Sequence, residues 1–89
     1  MILREVINMN NRVAVISIIV EDDRAVGELN ELLHQYGQYI IGRLGIPYRA
    51  KDVNIICVAM DAPLDCINAL TGALGRILGI NAKATCSNV

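Results

Sequence analysis

The sequence predicts an α+β sandwich of order βαββαβ, in which a four-stranded antiparallel sheet carries both helices on one face. Three observations predict it. Two runs, Val13–Val20 and Val53–Met60, are aliphatic with almost no polar interruption, the pattern of strands at the centre of a sheet. Two segments space their apolar residues at three and four, as helices lying on a sheet do. Two more alternate apolar with polar residues, as edge strands do.

Taken in order, Met1 to Asn11 forms an N-terminal extension, and residues 12–89 form the domain. Ile2, Leu3, Val6 and Ile7 of the extension need cover, which suits an added strand or an arm laid on a neighbouring subunit. The first strand, Arg12–Val20, reads as buried on both faces. Glu21, Asp22 and Asp23 then supply carboxylates where a helix starts near Asp23, able to cap free N–H groups at the positive end of its dipole. Ala25, Val26, Leu29, Leu32, Leu33 and Tyr36 form its apolar stripe, and Gly37 is a stop. Tyr39–Ile46 reads as an edge strand with Ile40, Gly42, Leu44 and Ile46 on one side and Tyr39, Ile41 and Arg43 on the other. A loop over residues 45–52, with Pro47 and several charges, turns it into the strand Val53–Met60. Asp61-Ala62-Pro63 opens the second helix, whose buried stripe is Ile67, Leu70, Leu74 and Ile77. Gly75 and Gly79 offer stops. Ile80–Cys86 is the last strand, with Ile80, Ala82, Ala84 and Cys86 opposite Asn81, Lys83 and Thr85.

This is the split βαβ, or ferredoxin-like, arrangement. Right-handed crossovers put the first and third strands at its centre, where the aliphatic runs fall. The face without helices is left uncovered. Val13, Val15 and Ile19, with one apolar row from the third strand, are expected there, flanked by Arg43, Lys83, Asn81 and Thr85. An apolar stripe inside a polar rim is the anatomy of an interface, so a homo-oligomer, dimer or larger, is expected.

Composition limits the function. Of 89 residues, 54% are hydrophobic and 19% charged, with no Trp or Phe, which is more aliphatic material than one small core needs. The formal net charge of −1 provides no general attraction for a phosphate backbone, so direct nucleic-acid binding is not expected. Cys57, Cys66 and Cys86 are an odd number without close spacing, which fits a reducing, cytoplasmic setting rather than a disulfide framework. The first eleven residues lack a signal-peptide h-region, and no run is long enough to span a membrane.

Three stretches, RVAVISIIVED (Arg12–Asp22), LNELLHQYGQYIIGRLGIPYR (Leu29–Arg49) and NALTGALGRILGI (Asn68–Ile80), resemble the iron-only hydrogenase system regulator family. The resemblance covers nearly all of the chain beyond the extension. That family is in turn similar, more remotely, to ACT domains and to the nickel-binding C-terminal domain of nickel-responsive repressors. The resemblance implies a regulatory role near the production or control of a hydrogenase and names no ligand. The glycines that ACT domains often carry after the first strand are absent from Val20-Glu21-Asp22-Asp23-Arg24, which counts against amino-acid sensing in the usual ACT manner. A nickel-responsive repressor also needs a ribbon-helix-helix reader, and eleven residues before the first strand are too few for one.

The side chains point away from catalysis. His34 is the only histidine and falls on the polar side of the first helix, so it cannot build a metal site within one chain. Asp22, Asp23, Asp61 and Asp65 sit near helix starts, where capping explains them. No phosphate loop or nucleophile motif occurs. No catalytic residue, metal ligand or cofactor is therefore assigned, and the chain reads as non-enzymatic. The remaining candidates for an anionic ligand or regulatory partner are Arg43, Tyr48 and Arg49, with Lys51 nearby. The readings left open are an oligomeric sensor or interaction module, a structural partner in hydrogenase assembly without a ligand, and a metal sensor with ligands shared between subunits.

Overall fold

The computed structural model describes residues 11–88, and within them the strands run β1 Asn11–Val20, β2 Ile40–Tyr48, β3 Val53–Pro63 and β4 Ile80–Cys86. The helices are α1, Val26–Gln35, and α2, Leu64–Gly75. The strand order is β2-β3-β1-β4 and every pairing is antiparallel, so the two aliphatic runs lie at the centre as expected. The extension's apolar residues Ile2, Leu3, Val6 and Ile7 lie outside the described residues; its last residue, Asn11, begins β1.

The core lies between the sheet and the two helices. Ala14, Ile16, Ile18 and Val20 of β1 and Ile56, Val58 and Met60 of β3 are buried against Leu29 and Leu33 of α1 and Ile67, Leu70 and Leu74 of α2. Both helices bury residues at intervals of three or four, as their spacing predicts. The expectation that β1 is covered on both faces does not hold within one chain. Its other row, Val13, Val15, Ser17 and Ile19, is exposed, because both helices lie on one side of the sheet.

Asp22 starts the first helical segment. A 3₁₀ turn, Asp23–Ala25, precedes α1, and the Asp22 carboxylate accepts from the Arg24 backbone N–H at 2.9 Å. The same carboxylate pairs with the Arg24 guanidinium at 2.9 Å. The side-chain hydrogen bond from Arg24, then the backbone one, holds the Asp22 carboxyl below its ordinary value of 3.8. A depressed folded-state pKa gives stability that is present above the unfolded value and is lost as pH falls through the folded one. The melting-temperature gap between the natural chain and Asp22→Asn should therefore be constant at neutral pH and close below 3.8. A gap that persists in strong acid would contradict this.

Two boundaries differ from expectation. The Asp61-Ala62-Pro63 segment, expected to open the helix, instead continues β3, with Pro63 opposite Asn11, so α2 starts only at Leu64. The hairpin after β2 is also tighter than the eight-residue loop expected. A 3₁₀ turn, Arg49–Lys51, and Asp52 at φ 56° reverse the chain between Tyr48 and Val53.

Candidate functional site

The register assigns every strand residue to a face. On the helix-free face, Val15 lies between Ala59 and Thr85, Ser17 between Cys57 and Lys83, and Ile19 between Ile55 and Asn81. Across β3, Gly42 stands beside Ala59, Leu44 beside Cys57, Ile46 beside Ile55, and Tyr48 beside Val53. The face is therefore apolar over most of β2, β3 and β1, interrupted by Ser17 at its middle and by Asp61 beside Val13 at one end, and polar along β4. Its seven large apolar side chains, Val13, Val15, Ile19, Leu44, Ile46, Tyr48 and Ile55, range from 37% exposed at Ile55 to 59% at Leu44. Scattered exposed apolar residues are ordinary, whereas a contiguous field of this kind marks a surface built to be covered.

A bulge makes that field wider than the sequence suggests. Between Ile40 and Gly42 the register slips by one, so Ile40 faces Met60 on the helix side while Gly42 faces Ala59 on the other. One extra residue inverts every side chain that follows. Leu44 and Ile46, which alternation places on the same side as Ile40, instead join the helix-free face. Arg43, expected to flank that face, lies on the helix side opposite Val58 and donates to the Asn30 side-chain oxygen of α1 at 2.9 Å.

Arg43, Tyr48 and Arg49 are not gathered at one place, because β2 extends to Tyr48. Arg43 and Tyr48 lie on opposite faces, and their partners Val58 and Val53 are five residues apart on β3, roughly 17 Å along the strand. Tyr48 and Arg49 do line a hollow of about 280 Å³ beside the hairpin turn. That hollow also contains Asp23 and Asp52, which oppose an anion there. A second hollow, about 240 Å³, lies where β1 meets β4 among Ser17, Ile19, Asn81 and Lys83.

Chemistry at single side chains is sparse. His34 is exposed on α1, and the described residues contain no group of three or more His, Cys, Asp or Glu able to hold a metal ion. Cys57 is half-buried at the middle of the helix-free face, not in the core, while Cys66 is half-buried on α2 and Cys86 is exposed at the end of β4. The Tyr39 phenol is raised above its ordinary 10.0, chiefly by a hydrogen bond with Cys66 and by that group's charge, with a hydrogen bond from Gln38 opposing. It is not poised to act as a base near neutral pH. Among the described residues, no helix is long and apolar enough to cross a membrane.

This architecture is shared with proteins of known structure. The chain aligns with TM1266 from Thermotoga maritima, a protein described as uncharacterized, at 34% identity and a TM-score of 0.82, covering 85% of this chain and 96% of that one. It is similar in fold to the ACT domain of GTP pyrophosphokinase from Chlorobium tepidum, at 12% identity and TM-score 0.67, with 90% of each chain covered. The C-terminal domain of MgtC from Mycobacterium tuberculosis is also similar, at 10% identity and TM-score 0.70, over 88% of this chain and 89% of that one. No curated protein matches the chain. Residues 12–84 match the TM1266-like family model, described as "Iron-only hydrogenase system regulator, putative". From β1 almost to the end of β4, then, this chain belongs to the TM1266-like family of iron-only hydrogenase system regulators.

Proposed function

We propose that this chain is a non-enzymatic regulatory module of the iron-only hydrogenase system, working as an oligomer that signals through a partner protein. The observation that carries this reading is the helix-free face, which holds seven of the ten exposed large apolar side chains among the described residues and is edged by polar β4. A broad, shallow apolar surface suits protein contact better than small-molecule chemistry, which uses a concave site with convergent polar groups. The slightly acidic balance adds no attraction for DNA, so an effect on transcription passes through the partner.

The reading is tested by recovering the chain from its native cell at low salt and identifying what accompanies it by mass spectrometry. Proteins of the hydrogenase system should be enriched over an unrelated domain of the same fold. Specific binding of the purified chain to a hydrogenase promoter fragment, persisting at physiological salt with competitor DNA, would contradict it. A screen of metabolites by melting temperature separates an assembly partner from a sensor, since a ligand that binds only the folded state raises that temperature.

A further inference from the structure

We infer that the helix-free face is covered by a second copy of the same chain, stacked sheet on sheet with its strands running the opposite way. This rests on the oligomeric reading above and specifies which surface the copies share and in what register.

The first argument is relief. Along the strands, the face divides into a high row and a low zone. Ile19, Ile55 and Ile46 stand side by side across β1, β3 and β2. The neighbouring rows toward the other end are lower, with Ser17 beside Cys57 in one and Ala59 beside Gly42 in the next, and Leu44 and Val15 as their larger members. A two-fold axis lying between the sheets, across the strands and between the Ile19 and Ser17 rows, sets each copy's isoleucine row over the partner's Ser17 and Cys57. The same axis sets Tyr48 and Val53 over the partner's Gly42 and Ala59. Ile19 and Ile55 then meet Ser17 and Cys57, Tyr48 and Val53 meet Gly42 and Ala59, and Ile46 meets Leu44 on the edge strand, each contact made twice as an isologous interface requires of a single patch. The operation also lays β4 over the partner's β4, so Asn81, Lys83 and Thr85 meet polar residues at a wet rim.

The second argument is area. Five of the exposed large apolar side chains, Ile19, Leu44, Ile46, Tyr48 and Ile55, stand over the partner's sheet in this register and offer roughly 100 Å² each, on the order of 500 Å² per copy and about 1,000 Å² for a pair, the size a specific interface must clear. The apolar field thus matches what one further copy would bury.

Cys57 reports on the arrangement because it lies beneath the stack, while Cys86 lies outside it. Sheets packed about 10 Å apart, with each Cys57 set against the partner's isoleucine row, hold the two Cys57 backbones beyond disulfide reach, so the thiol stays reduced and is shielded. The test combines maleimide labelling, mapped by mass spectrometry, with the variant Ala59→Leu, which fills the low zone from the half-buried face of a central strand. In the natural chain Cys57 should label at least about 10-fold more slowly than Cys86, and Ala59→Leu should weaken self-association by about 100-fold while restoring Cys57 labelling. Gly42→Leu provides a second variant, because a Cβ at Gly42 meets nothing within 4 Å in its own chain. An oligomer in which Cys57 labels as fast as Cys86, or which both variants leave intact, would overturn the stacked arrangement while leaving the oligomeric reading standing. A chain that is monomeric throughout would overturn both.

Discussion

Gly79→Ala is expected to destabilise the domain by about 2–4 kcal/mol, the sum of a left-handed backbone imposed on an L-residue and a steric conflict. Gly79 has φ +88°, and a Cβ built on it would stand 2.6 Å from the Asp22 Cβ and 3.4 Å from the Asp22 backbone nitrogen. Neither group can retreat cheaply. The Gly79 carbonyl accepts from the Glu21 N–H at 2.7 Å, which ties the end of β1 to the entrance of β4, and Ile80 is buried one residue on. Denaturant unfolding gives the loss directly. Asp22→Gly relieves the steric part of that loss while adding its own loss of the cap and of the Arg24 pair. The double variant should therefore lose less than the sum of the two single losses, and simple additivity would show that the close approach is not the cause. For a domain whose whole stability is on the order of 5–10 kcal/mol, the single variant should melt far below the natural chain.

Ile19→Lys combined with Ile55→Lys is expected to convert the oligomer into a folded monomer. The two residues are paired neighbours on the central strands and each is more than a third exposed, so a lysine at either position finds water in the isolated chain. In a two-fold assembly the pair of substitutions introduces four ammonium groups under the interface, each costing several kcal/mol to desolvate without a carboxylate partner. Self-association should weaken by at least about 1,000-fold, while the far-ultraviolet circular dichroism and the cooperativity of unfolding are kept. Loss of the folded signal instead would mean that the face supports the fold itself. Lys83→Ala, a change at the polar edge of the same face, serves as the control and should alter the assembly little.

The order of elements and the choice of central strands were legible because burial in this fold is so uneven. The runs in β1 and β3 stay aliphatic since one row faces the helices and the other faces a surface that also avoids charge, and alternation on β4 follows from its polar outer row. What could not be read was the bulge at Ile41. Ile40 and Ile41 are chemically equivalent, so a two-residue period cannot say which of them is the extra residue, yet that choice decides the faces of Arg43, Leu44 and Ile46. The candidate group of Arg43, Tyr48 and Arg49 was drawn from nearness in sequence and is divided because β2 runs on to Tyr48, five residues beyond Arg43, which puts the two on opposite faces. Gly79 was visible as a stop, but its approach to Asp22 joins residues 57 positions apart and appears only once β4 lies beside β1. The extension of β3 to Pro63 was hidden because an Asp-Ala-Pro segment serves a strand end and a helix start equally well.

The uncovered apolar face is the centre of this account, and the mass of the natural chain in solution tests it most directly. Light scattering across a concentration series at physiological salt should return at least twice the mass of one chain at micromolar concentration, with dissociation only on strong dilution. A single-chain mass throughout that range, with the fold intact, would contradict it.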